Sequence, residues 1–307
     1  MSVPPVLSSR NRHPRDDNIE FFDVGHRYEI KTDPGIKYLS VTSFNAQHFD
    51  HFDPDKIIPK MMSGRNWNPQ NKYWGKTAEQ IKQQWTDNGA LVSGLGTAMH
   101  FNIEVFMNQD IEPNTHADLA IAHTGSLPTG TKEWEYFLEY LRDNPERQPY
   151  RTEWLIYHED LKLAGAIDMV YRNADGTLDI YDWKRAKCIN MEPNSQWPKF
   201  STNPHIAHIP DTNGGHYSLQ LNTYKAILEQ KYGVKVRNLV LVRLHPDADT
   251  YELIPCPDLQ KEVTDLFQQR LDMLALHERK DPCPPLPQNV EIEALPTGKC
   301  LIKLPTR

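Results

Sequence analysis

Residues 163–187 read LAGAIDMVYRNADGTLDIYDWKRAK, and the architecture of the chain can be worked outward from them. Two alternating, β-rich runs, AIDMVYR and TLDIYDWK, flank Ala-Asp-Gly at 174–176. Asp-Gly between such runs is a strong hairpin signal. Residues two apart on a strand share a face, so Asp182 and Lys184 project together and Asp168 can meet them from the neighbouring strand. Two carboxylates and an ammonium converging at the end of a hairpin are costly to hold together. A divalent cation on the carboxylates removes that cost. Upstream, RTEWLIYHEDLKLAG at 151–165 reads as a further strand carrying Glu153 and ending at the turn His158-Glu159-Asp160. Three successive antiparallel strands then bring Glu153, Asp168, Asp182 and Lys184 towards one rim.

Around this unit the pattern alternates. Residues 19–44 read as β-rich, with a turn at Val24-Gly25-His26. Helices are expected within 54–87, at the end of 88–108, over 131–144 and over 216–233, and an amphipathic C-terminal helix follows from 259. VRNLVLVRLHP at 236–246 reads as a buried strand with TYELIPCP as its hairpin partner. The fold class is therefore α/β (α+β): a mixed central β-sheet flanked by helices, with N- and C-terminal additions. Residues 1–18 read as a flexible basic arm, more solvated than phosphate-binding. Residues 19–281 form a single domain with its core at about 90–245, and 282–307 is a Pro-rich extended tail. The connection 188–214 is long enough to be functional or disordered.

Composition sets limits. A net charge of −7 over 307 residues argues against a protein that coats nucleic acid but not against an enzyme that acts on it. No apolar run is long enough to span a bilayer, so no membrane is expected, and the lack of a targeting signal favours the cytoplasm. Cys188, Cys256, Cys283 and Cys300 are scattered, which supports neither structural zinc nor an iron–sulfur cluster.

Each candidate residue has a plainer reading beside the functional one. Asp is depleted in strand interiors, so Asp168 and Asp182 are better read as metal ligands than as strand-end accidents. Asp175 and Asp179 read as turn and outer-face residues. His100 and Glu104 share one helix face, either as a ligand-bearing stripe or as a helix-stabilising pair. Tyr224 reads equally as a core aromatic. Trp67, Tyr73, Trp74 and Trp197 sit in polar loops, where bases can stack on them or they can fold back as packing. Arg185 and Lys187 extend the Asp182 strand and can hold phosphates. His205, His208 and His216 match no metal-site spacing.

Taken together these residues resemble the PD-(D/E)XK nuclease superfamily, in its RecB-like exonuclease branch, over residues 36–245. Gly96-Thr97-x-x-His100-x-x-x-Glu104 is similar to its helix motif, Gly165-Ala166-Ile167-Asp168 to its G-x-x-D, Asp182-Trp183-Lys184 to its D-x-K, and Gln220-x-x-x-Tyr224 to its Q-x-x-x-Y helix. Tyr38-Leu-Ser-Val-Thr-Ser43 resembles its S-V-T opening. The order of the motifs is what makes the set specific. The resemblance implies a restriction-endonuclease-like core. It implies one or two Mg²⁺ or Mn²⁺ ions on His100, Asp168 and Asp182, and Lys184 acting on the attacking water. Gln220 and Tyr224 then steady the catalytic strands or touch the DNA backbone, and Glu153 reads either as an additional active-site carboxylate or as a cross-strand partner of a basic residue. Arg185, Lys187, Trp67 and Trp74 are expected to bind nucleic acid.

The implied activity is metal-dependent hydrolysis of DNA, most simply by an exonuclease in recombination, repair or replication, fed with single-stranded or duplex ends and served by a helicase or recombination partner. The alternatives are a structure- or sequence-specific endonuclease, a non-catalytic nucleic-acid binder on the same fold, and a hydrolase of a small phosphate ester.

Overall fold

A computed structural model describes residues 5–122, 130–278, 291–294 and 300–303. The chain divides into two compact units, residues 1–264 and 265–307, so the division falls earlier than the boundary expected near 281.

The N-terminal segment is docked, contrary to the flexible arm expected. It forms α1 (Val6–Arg10) and a 3₁₀ turn at Asp16–Asn18. Leu7 is fully buried and donates its N–H to Asn108 Oδ1 at 3.0 Å. Arg10 pairs with Asp110 and Glu112, Arg12 with Asp17, and Arg15 with Glu159. Acids within reach of each arginine, plus one apolar anchor, pin what composition alone reads as a solvated tail.

Strands β1 (Ile19–Phe22) and β2 (Arg27–Ile30) form the expected hairpin. The β-rich run ends sooner than expected: β3 is only Leu39–Ser40, and α2 (Val41–Ala46) follows at once. Ser40 is the reason, because its hydroxyl accepts the Ser43 N–H and caps the helix. Helix α3 (Pro54–Met62) precedes α4 (Ala78–Met107), which starts ten residues before the pattern at 88 suggests. Thr77 and Gln80 start it with a capping box. Helices α5 (His116–Ala122) and α6 (Lys132–Asp143) lead into β4 (Gln148–His158), β5 (Leu163–Arg172) and β6 (Leu178–Lys184). The connection from 188 is ordered by a 3₁₀ turn at Pro204–Ile206 and by Ser201 donating to the His48 carbonyl at 2.6 Å. Helix α7 (Asn213–Lys231), β7 (Val236–Arg243), β8 (Glu252–Pro255) and α8 (Gln260–Glu278) complete the main run. In the tail, β9 (Glu291–Ala294) and β10 (Cys300–Lys303) pair antiparallel. The remaining tail residues, with Cys283, lie outside the described residues. Among those described, no helix is long and apolar enough to cross a membrane.

The sheet is mixed, in the order β3-β5-β6-β7-β8, with β4 on the other edge of β5. β6 pairs parallel with β7, and the remaining central pairs β4–β5, β5–β6 and β7–β8 are antiparallel. One face carries Met169, Tyr171, Tyr181, Trp183, Val240 and Val242 into a core with Phe106 of α4 and Phe137 and Tyr140 of α6. Alternation turns Val170, Ile180, Asp182 and Leu241 to the other face, where α7 contacts β4, β6 and β7. Asp179, expected on an outer face, is buried and accepts from Asn173 Nδ2 at 2.9 Å and Asn238 Nδ2 at 3.0 Å. Its carboxylate is consumed in tying β6 to the hairpin turn and to β7.

Candidate metal centre

Strand register creates the site. β4 occupies one edge of β5 along its length, so β3 and β6 must share the other. β6 pairs with Met169–Arg172 and β3 with Leu163–Ala164. Residues 165–168 lie between the two ladders, and the sheet opens there. Asp168 is the first β5 residue past the end of the β6 ladder. Its Oδ2 accepts the Trp183 N–H at 3.0 Å, taking the place of a ladder carbonyl.

Glu153 faces Asp168 from β4. The flanking pairs Thr152↔Met169 and Trp154↔Ile167 place it opposite Asp168, and its φ of 43° interrupts the strand. A left-handed conformation costs an L residue about 1–2 kcal/mol, so the surroundings must impose it. From α4, His100 Nε2 lies 2.8 Å from the Trp183 carbonyl. A carbonyl can only accept, so Nε2 is the donor and Nδ1 is the ring nitrogen turned to the carboxylates. Nδ1 sits 3.4 Å from Asp168 Oδ2. One ligand atom each from His100, Glu153 and Asp168 lies within 4.8 Å of the others. Among the described residues no other group of three or more His, Cys, Asp or Glu meets that condition.

The electrostatics of the site are unfavourable without a cation. Burial, reinforced by Asp168 and Glu104, pushes Glu153 up to about 9. Burial also raises Glu104, and burial with Asp168 raises Asp182 against the pull of Lys184. Burial opposes the Lys184 ammonium, but Asp182 and Asp168 more than offset it and its pKa lies above the ordinary value. Lys184 Nζ contacts Asp182 Oδ2 at 2.5 Å and stands 4.5 Å from the centroid of the Tyr217 ring.

The four residues expected at one rim are thus brought together, but in two groups. Glu153 joins His100 and Asp168 in the ligand group, while Asp182 turns one oxygen to Lys184. Gln220 and Tyr224 lie one layer away. Gln220 Nε2 donates to Tyr224 Oη at 2.9 Å, and the Tyr224 ring covers Gly165 so closely that a Cβ there would stand 2.7 Å from Cε1. Two of the sequence motifs are therefore a single contact, a helix ring on a strand glycine, and these residues position β5. Arg185 is held by Glu133 at 2.6 Å with both side chains largely buried. Lys187 is exposed and reaches Asp247 at 3.1 Å. Trp67 and Trp74 pack against each other, with ring centroids 5.7 Å apart, in the loop before α4. His208 and His216 pair with Glu262 and Asp211. Tyr217 had no motif to single it out. Its position was nonetheless readable, since Tyr217, Gln220 and Tyr224 fall at i, i+3 and i+7 on one helical stripe.

No protein-family model matches the chain, and no curated protein matches its sequence.

Proposed function

We propose that the chain is a divalent-metal-dependent nuclease that hydrolyses DNA phosphodiester bonds from strand ends, on the pattern of the PD-(D/E)XK superfamily it resembles. The observation that carries this reading is the opening in the sheet where His100, Glu153 and Asp168 converge beside the Asp182–Lys184 pair. The donor set fits a cation such as Mg²⁺ or Mn²⁺: two carboxylates, one of them pushed far above the usual range by burial, and an imidazole with Nδ1 turned to Asp168. Bound there, the ion would polarise the scissile phosphate and make water more acidic at neutral pH.

The chain's own groups supply the rest. The Trp183 carbonyl fixes the tautomer and tilt of His100. Asp182 and Tyr217 aim the Lys184 ammonium, which is charged and therefore donates to the nucleophilic water or to a phosphate oxygen rather than removing a proton. Its charge stabilises the negative charge that develops on phosphorus oxygens in the transition state. Tyr224 on Gly165 holds β5 so that Asp168 stays beside the Trp183 N–H.

End-labelled linear single- and double-stranded DNA, with a covalently closed circle alongside, tests the proposal in Mg²⁺, Mn²⁺ and EDTA. Linear DNA should shorten from an end only with metal, the circle should survive, and Asp182→Ala and Lys184→Ala should be inactive. Cutting of the circle would replace the exonuclease by an endonuclease. No metal-dependent cleavage of DNA or RNA by folded protein would leave a binding protein.

A further inference from the structure

An acidic chain concentrates positive charge in one stretch. Between residues 56 and 82, Lys56, Lys60, Arg65, Lys72, Lys76 and Lys82 stand against Glu79 alone, in a protein of net charge −7. Lys56 and Lys82 are matched by Asp53 and Asp55. Among the described residues Lys60, Arg65, Lys72 and Lys76 have no acidic partner. The same stretch and its flanks carry aromatic rings, part-buried at Trp67, Tyr73 and Trp85 and exposed at Phe52 and Trp74. Trp67 and Trp74 lie 5.7 Å apart, Phe52 and Tyr73 lie 5.8 and 5.9 Å from Trp85, and Lys72 Nζ is 4.7 Å from the Tyr73 centroid. Phe52 is 60% and Trp74 47% exposed. Trp85 Nε1 donates to Tyr73 Oη at 2.8 Å, and Tyr73 adjoins Trp74 in sequence, so the two ring groups are joined through one loop.

These rings and the candidate metal centre are joined by one continuous helix. Trp85 and His100 both belong to α4, and fifteen residues at 1.5 Å each separate them by about 22 Å. Between them residues 86–95 are exposed all round the helix, with Leu91 62%, Val92 41% and Leu95 43% exposed. Gly89, Gly94 and Gly96 have nothing within 4 Å of where a Cβ would stand. A helix bare on every side is a spacer with accessible surface on it, not a packing element.

We propose that the aromatic and cationic segment from Phe52 to Trp85 is a binding platform for single-stranded nucleic acid, and that α4 leads the strand from it to His100. Rings interspersed in sequence with cations that lack an acidic partner suit a flexible strand, whose bases can turn to stack while its phosphates meet lysine and arginine. A duplex offers only its phosphates to such a surface, because its bases are already stacked. The strand's destination rests on the nuclease reading; the platform itself does not.

The test measures binding to full-length protein in EDTA, where cleavage cannot interfere. The probes are fluorescein-labelled oligothymidylate, oligouridylate and a blunt duplex, with tryptophan quenching followed in parallel. The expected result is preference for the single strand, with quenching. Trp74→Ala should weaken it about tenfold, and Trp74→Phe should restore most of the affinity. Lys72→Ala with Lys76→Ala should lower the slope of log affinity against log salt by about 1.4. Equal affinity of oligothymidylate and oligouridylate makes the ligand any single strand, and preference for one assigns it to DNA or to RNA, sugar and C5-methyl together. Equal affinity for strand and duplex, no binding of either strand, or Trp74→Ala indistinguishable from the parent would overturn the platform. Binding as described without metal-dependent cleavage keeps the platform and removes the nuclease. Cleavage with Trp74→Ala binding normally does the reverse.

Discussion

Replacing Glu153 by glutamine should make the metal-free protein more stable while abolishing its stabilisation by metal. The folded environment moves the Glu153 carboxyl from 4.5 up to about 9. The folded state therefore keeps a proton that the unfolded chain releases. Stability tied to this group is complete below pH 4.5 and is lost as pH rises towards 9, at about 1.4 kcal/mol per pH unit. At pH 7 the loss is of order 3 kcal/mol. Glutamine keeps the shape and cannot ionise in either state, so the variant avoids that loss. In urea unfolding with EDTA, Glu153→Gln should exceed the parent by about 3 kcal/mol at pH 7, by little near pH 4.5 and by more at pH 8.5. Adding Mn²⁺ at a hundred times its dissociation constant should raise the parent by about 2.7 kcal/mol and the variant by much less. The reasoning is refuted if the variant is no more stable than the parent at pH 7 in EDTA, if the gap ignores pH, or if Mn²⁺ stabilises both equally.

Gly165→Ala drives a methyl to 2.7 Å from the Tyr224 ring and should cost about 1–3 kcal/mol, read by urea midpoint. Tyr224→Leu in the same chain should recover part of it, and no recovery would show that the ring is not the obstacle. Arg185→Ala strips a largely buried partner from Glu133 and should lower stability by about 3 kcal/mol, with Glu133→Ala returning part of the loss in a double-mutant cycle. An unchanged midpoint with weakened DNA binding would make Arg185 a phosphate contact instead.

Much of this architecture was legible because period and turn chemistry agreed. Alternation with Asp-Gly at 175–176 placed β5 and β6, and the apolar stretch Leu239–Val242 within 236–246 placed β7 as a strand buried on both faces there. Carboxylates inside strands singled out Asp168 and Asp182. What was hidden depended on contacts far apart in sequence. Arg10 and Arg15 look free until Asp110 and Glu159 are seen beside them. Asp179 looks exposed until Asn238, 59 residues away, is seen to donate to it. A hydroxyl cap overrode β propensity at Ser40. The grouping of Glu153 with His100 and Asp168, and of Asp182 with Lys184, goes with a register gap and a positive φ, and neither leaves a mark on residue type.

Anomalous scattering from crystals soaked in Mn²⁺ tests the metal centre most directly. A peak ligated by His100 Nδ1 and by the carboxylates of Glu153 and Asp168, within reach of Lys184, is the expected result. A peak held elsewhere on the chain, or none at millimolar Mn²⁺ with these three side chains in place, would contradict it.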